Sequence, residues 1–194
     1  MRAIFALLSA VLAVVSGPSY VSDIIHGRAK PQRATFFIFT LLSSIAFYGQ
    51  LKLGAHWALV FTGLDVLGSL GVFLLAVKYG TSGFALHDRI ALVVASTGLV
   101  LSFVAHSPLL AIGGVLIADV SAIALTLHKT YKDPDSEPYV SWFLFGFGAI
   151  FSALSVEHYT FALLLYPTYI ALSVFAIPLA KYLGTRAIAV SANR

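Results

Sequence analysis

The chain has 194 residues, of which 59% are hydrophobic and only 10% charged, with a mean hydropathy of +0.93. A soluble domain carries about 25% charged residues, so there are too few charges here to cover a globule in water. A formal net charge of +4 would suit a nucleic-acid partner, but no basic domain exists to bind one, and the absence of cysteine excludes disulfides, thiolate metal sites and thiol redox chemistry. What remains is an all-α polytopic membrane protein whose first partner is the lipid bilayer.

A crossing takes about 20 apolar residues. In chain order the apolar runs predict spans at 3–25, 34–50, 56–77, 89–105, 109–127, 139–156 and 159–180. The start, Arg2 followed by Ala3–Val15, also fits a signal peptide cleaved near Ser16 or Gly17. The apolar run continues past that site to Ile25, which favours a retained first span. The run from Ile90 to Leu127 is too long for one crossing and divides at His106-Ser107-Pro108, where proline stops one helix and suits the start of the next.

The basic residues test this seven-span reading. They put Arg28, Lys30, Arg33, Lys78, Arg89, Lys129, Lys132, Lys181, Arg186 and Arg194 on one face, and only Arg2 and Lys52 on the other. The positive-inside rule then places the N-terminus outside and the C-terminus in the cytoplasm, in a cell's plasma (inner) membrane. Trp57 and Trp142 fall at span ends, where interfacial aromatics are common.

Landmarks recur 107 residues apart: Pro31 with Pro138, Phe36 with Phe143, Ala46 with Ala153. Three spans end on the opposite side from where they began, so a second triplet of the same orientation requires one extra crossing. The expected organisation is a first three-helix repeat over 1–80, a linker helix within 81–107, and a second repeat with a cytoplasmic tail over 108–194. Parallel repeats of this kind occur in transporters, with the solute site near the midplane between the halves.

The layout, the outside N-terminus and the stretch Gly17-Pro18-Ser19-Tyr20 followed by Arg28-Ala29-Lys30 resemble the PQ-loop superfamily. That group includes SWEET sugar transporters, their half-sized bacterial relatives and the KDEL receptors. Pro18 matches the proline of the first motif, with Ser19 in place of its glutamine, and Leu125-Thr126 replace both residues in the second half. The resemblance implies the 3+1+3 fold, a hinge at Pro18 and a sugar or similar small polar metabolite as solute.

Six of the eight carboxylates lie at span ends or in loops: Asp23, Asp88, Asp133, Asp135, Glu137 and Glu157. Asp65 and Asp119 do not. Both lie roughly 12–16 Å below the outer interface at about 1.5 Å per residue. An Asp near a helix centre costs about 2.5–3.5 kcal/mol on the insertion scale, and such residues usually face the bundle interior or a wet cavity. Each can be a carboxyl bonded to a neighbouring helix or a contact for solute or proton. The sequence Asp65-Val66-Leu67-Gly68 is similar to the asparagine-x-x-glycine pattern on span three of SWEET-like proteins, which implies that Asp65 faces a central pocket and makes proton coupling conceivable.

Gly63, Gly68 and Gly71, with Gly146 and Gly148, suggest close helix approach. Pro18 should kink the first span, and Pro167 and Pro178 the last. Ser43 and Ser44, Ser152 and Ser155, and Tyr166 can bond a polar solute or their own helix carbonyls. The candidate solute- or ion-binding residues are therefore Asp65, Asp119, Ser44 and Tyr166. All six histidines sit at or near span ends, which fits interfacial positions better than bis-histidine haem ligation. Span seven lacks a mid-membrane lysine for retinal, and no phosphate loop, zinc motif or nucleophile elbow appears. The expectation is a transporter without cofactor or enzymatic activity, working by alternating access; the alternative is a receptor or accessory protein of the same fold without turnover. Either is compatible with a homo-oligomer.

Overall fold

The computed structural model describes residues 1–80 and 108–192, with seven further residues between 93 and 104. The expected span at 89–105 lies largely outside the described residues, as do His87, Asp88, Arg89, His106 and Arg194. Every element among the described residues is helical. The α-helices are α1 (Arg2–Ile25), α2 (Arg33–Lys52), α3 (Ala58–Tyr79), α4 (Pro108–Lys132), α5 (Tyr139–Ser155) and α6 (Phe161–Ala192), with a single 3-10 turn at Pro134–Ser136. A helix satisfies its own backbone groups, so it is the form an apolar chain takes where water is scarce. Four of the helices, α1, α2, α3 and α6, are long and apolar enough to cross a membrane, while α5 is apolar but shorter. Large apolar side chains point outward all around the bundle, among them Val14, Leu67, Leu74, Val120, Phe147 and Leu172. An apolar surface of that extent calls for lipid rather than water.

The helices alternate in direction. At one end Arg33 Nε donates to the Ala76 carbonyl, Lys30 pairs with Asp133, Lys129 Nζ reaches the Lys30 carbonyl, and Lys181 Nζ reaches that of Glu137. At the other end the Arg2 guanidinium lies over the Tyr159 ring and Glu157 meets the start of α3. The described basic residues therefore divide between the ends as the charge pattern anticipates, and the first is called the basic end below. Helices α3 and α4 run in the same sense: the chain leaves the basic end at Gly80 and begins α4 at Pro108, about 36 Å from Lys132 along the helix axis.

Each helix packs against two main neighbours, closing a ring in the order α1, α3, α2, α4, α6, α5 and back to α1. The α1–α5 seam uses small residues. Buried positions on α1 recur every three or four residues, at Ala6, Ser9, Ala13, Ser16, Tyr20 and Ile24, the stripe one helix needs to face another. Ser9 and Ser16 donate to the carbonyls of Gly148 (2.7 Å) and Ser141 (2.8 Å) on α5. A Cβ on Gly148 would lie 3.1 Å from the Phe61 ring and 3.4 Å from the Ser9 carbonyl, and one on Gly146 would strike the Phe175 ring at 2.8 Å. Gly63 makes a looser approach to Phe47, whereas a Cβ at Gly68 or Gly71 would meet nothing within 4 Å. Close packing thus explains the α5 pair but not Gly68 or Gly71.

Two helices overrun their expected limits. α4 extends through Lys132 and α6 through Ala192, beyond the expected ends at 127 and 180. Hydropathy marks where the apolar stretch stops, not where backbone hydrogen bonding stops. Lys129 and Lys132 complement the C-terminal dipole of α4, and on α6 the ammonium of Lys181 lies over the Tyr139 ring. The turns after α1 and α2 pass through Gly27 and Gly54, at φ +73° and +78°, where a side chain would be strained.

At the end opposite the basic residues, Glu157 in the α5–α6 connection accepts the backbone N–H of His56 at 3.0 Å and that of Trp57, the residue preceding α3. Burial alone would raise its pKa. The N–H groups of Trp57 and His56 and the neighbouring His56 side chain outweigh that and hold it below the ordinary 4.5. The stabilisation from a lowered carboxyl is complete above the unfolded value and is lost as pH falls through the folded one. On acidification below about pH 4.5, wild type should therefore lose more of its thermal midpoint in micelles than Glu157→Gln does. Separately, Gly148→Leu is expected to cost about 1–3 kcal/mol through overpacking and to lower that midpoint, while Gly71→Leu leaves it unchanged.

Candidate functional site

The six described helices converge on a cavity of about 100 Å³, to which each contributes side chains. Its polar centre is built from three helices. Asp65 comes from α3, Asp119 from α4 and Tyr166 from α6, and the Tyr166 hydroxyl donates to Asp65 Oδ2 at 3.0 Å. One turn on from Asp65, Ser69 donates to the Asp65 carbonyl at 2.7 Å and lies 3.4 Å from the Ser43 hydroxyl of α2. Asp119 is only 4% exposed, and its Oδ2 has no hydrogen-bond partner. The Tyr169 hydroxyl lies beside Asp119. A buried carboxylate oxygen without a partner is costly, and this one belongs to a residue of the cavity wall.

Aromatic layers close the cavity along the bundle axis. Toward the basic end, the Tyr20 ring packs 5.7 Å from both Phe36 and Trp142, edge-on to the latter. Toward the other end, Phe61 lies 5.0 Å from Phe145. Beyond Phe61, the Thr62 hydroxyl donates to Gln50 Oε1 at 2.7 Å.

Behind the first layer lies a polar knot keyed on Glu137, which is 1% exposed. Its Oε2 accepts the Tyr20 hydroxyl at 2.7 Å and the Trp142 indole N–H at 2.9 Å. Its Oε1 pairs with the Lys129 ammonium, and its backbone carbonyl accepts Lys181 Nζ at 2.7 Å. One residue thereby ties α1, α4, α5 and α6 together at the basic end, the first three through its carboxylate and α6 through its backbone carbonyl. Such a charge is tolerable only when its lone pairs are filled, and breaking a buried pair by removing one partner typically costs about 3–5 kcal/mol.

The expected site residues divide. Asp65, Asp119 and Tyr166 are brought to one cavity. Ser44 is not: it is exposed on the outer face of α2 and its hydroxyl bonds the Thr40 carbonyl at 2.7 Å. The neighbouring Ser43 faces inward instead, because one residue along a helix turns the side chain by about 100°. Pro18 lies within α1 on its exposed side, next to the cavity-lining Gly17. Ser155 bonds the Ser152 carbonyl of its own helix at 2.8 Å, and His26, His56, His128 and His158 are exposed. Trp142, expected at the interface, is buried and lines the cavity, and Glu137, expected in a loop, is buried beneath it. Neither Tyr20 nor Glu137 stands out by composition; the one available signal is that Glu137 precedes Pro138 at the start of an apolar run.

The arrangement can hold a small polar or charged group against two carboxyls and a phenol, out of bulk water, between two aromatic layers. No protein-family model, curated protein or solved structure matches the chain. Glu137→Ala is expected to cost about 3–5 kcal/mol, the penalty of stranding Lys129. Tyr20→Phe, which removes one hydrogen bond to a charged acceptor, should cost about 1.5–3 kcal/mol. Unfolding of both variants in micelles, in that order of severity, checks the assignment.

Proposed function

We propose that the chain is a membrane transporter for a small polar solute, built as two parallel three-helix repeats joined by a crossing within 81–107, and related to the PQ-loop superfamily. The observation that carries the proposal is the axial cavity itself, which draws on every described helix and holds Asp65, Asp119 and Tyr166 at its centre.

The ring order supports the repeat. Exchanging α1 with α4, α2 with α5 and α3 with α6 maps each neighbouring pair in the ring onto another neighbouring pair. Shifting α1 by 107 residues gives 109–132, against 108–132 for α4, and the same shift of α2 gives 140–159, against 139–155 for α5. The parallel course of α3 and α4 calls for one intervening crossing, which fits a seventh span at 89–105. On this reading the N-terminus is outside and the basic end cytoplasmic, as positive-inside bias implies.

Under alternating access the two aromatic layers are the gates. The basic-end gate is Tyr20, Phe36 and Trp142, latched by Glu137, and Pro18, one helical turn from Tyr20's neighbours, is the hinge. A proline leaves the carbonyl four residues earlier without its donor, here that of Val14, so α1 can bend beside the cavity-lining Gly17. The volume limits the solute. Pockets for drug-sized ligands run about 300–1,000 Å³, so this cavity takes only a few heavy atoms and a sugar requires a wider state.

Proteoliposome flux across a panel of small polar solutes tests the proposal. At least one solute should cross faster than through protein-free vesicles. Asp65→Asn should cut that flux about ten-fold or more, the equivalent of one charged hydrogen bond, without loss of folding. Solute binding with no flux above the vesicle background would instead make the protein a receptor.

A further inference from the structure

We infer that the solute bound in the central cavity is a small organic ammonium ion. The inference rests on the transport reading only for movement and not for binding. Among the described lining residues there are two carboxyls, Asp65 and Asp119, and no Lys, Arg or His. Three cations of the basic end have their partners elsewhere: Lys129 is on Glu137, Lys181 is on a backbone carbonyl, and Arg33 is on the Ala76 carbonyl. The cavity therefore offers two carboxyl groups without an internal counter-ion, and a buried carboxylate left unpaired is unfavourable by several kcal/mol. A cation completes it.

The two acids are unequal in a way that suits a ligand. Asp65 is committed on one oxygen to Tyr166, whereas Asp119 keeps a buried oxygen free. Apart from Ser16, Ser69 and Ser141, whose hydroxyls donate to protein oxygens, the rest of the wall is aromatic and aliphatic, including Tyr20, Phe36, Trp142 and Phe145. Ring faces attract an ammonium within about 6 Å, more strongly when it is desolvated, while offering a neutral polyol little to hydrogen-bond. A metal cation would want several oxygen ligands at short range, and the lining provides chiefly carbon. Charge, apolar walls and a volume of about 100 Å³ agree on an ammonium head carrying a few carbons.

The probe is tetramethylammonium, which has a permanent charge and cannot cross lipid as a free base. Its neutral match in size is tert-butanol, with glycerol as a polyol and sodium chloride as the ionic-strength control. On the purified full chain in micelles, tetramethylammonium or methylammonium should raise the thermal midpoint with dose, as a ligand of the folded state does. The three controls should not. In calorimetry Asp119→Asn should weaken ammonium binding about ten-fold or more, as losing one partner of a buried charge pair does. The wild-type comparison with tert-butanol stands even where that variant fails to fold. Glycerol or a sugar binding and crossing, with tetramethylammonium inert, overturns this inference and leaves transport in place. Ammonium binding without radiolabelled tetramethylammonium flux supports the site and removes transport. No binding by any probe overturns the inference.

Discussion

A polar atom inside a bundle of apolar helices has no water to fall back on, and that scarcity governs how this chain is assembled. Backbone groups meet the constraint by being helical. Side chains meet it case by case, and the two outcomes define the molecule. Glu137 is saturated: a phenol, an indole and an ammonium fill its oxygens, and a second ammonium takes its carbonyl. Asp119 is not, and neither is the Tyr169 hydroxyl beside it. A fully satisfied buried carboxylate is a fastening. An unsatisfied one, beside a cavity, is the basis of the binding proposed above.

The two acids act on opposite sides of one aromatic layer. Tyr20 and Trp142 line the cavity on one side and donate to Glu137 on the other. Any movement that widens the cavity toward the basic end must draw these rings off Glu137 or carry it with them. Since Glu137 is also joined to α4 and α6, the state of the cavity and the packing of four helices are mechanically coupled. Among the described residues, no charged side chain bonds the aromatic pair toward the other end, where Phe61 and Phe145 are backed by the Thr62–Gln50 bond. The asymmetry identifies the basic end as the more strongly held closure.

Much of the architecture was legible because charge is so rare. In an apolar chain each Lys or Arg marks an end and each mid-helix carboxylate marks an interior face, so the alternation of helices and the convergence of Asp65 with Asp119 follow from position alone. What the pattern concealed has a common cause. Glu137 sits beside Asp133, Asp135 and Pro138, a neighbourhood that reads as a polar connection. Its burial depends on Tyr20, 117 residues away, and on lysines that return from two other helices. Trp142 looked interfacial for the same reason. Ser43 and Ser44 are chemically identical neighbours, and only the rotation of α2 about its axis separates the inward one from the outward one. The lengths of α4 and α6 escaped because a lysine ends a hydropathy run without ending a helix.

The hydroxyl bonds along the α1–α5 seam carry a consequence of their own. Ser9 and Ser16 reach across to carbonyls that already serve α5's own backbone ladder. Were the two rods to draw apart, each serine could swing back to an oxygen one turn earlier in its own helix, as Ser44 does with Thr40. No donor would be stranded and no acceptor orphaned. Unlike an interlocked wall of leucines, this join keeps every hydroxyl bonded through small shifts of one helix against the other.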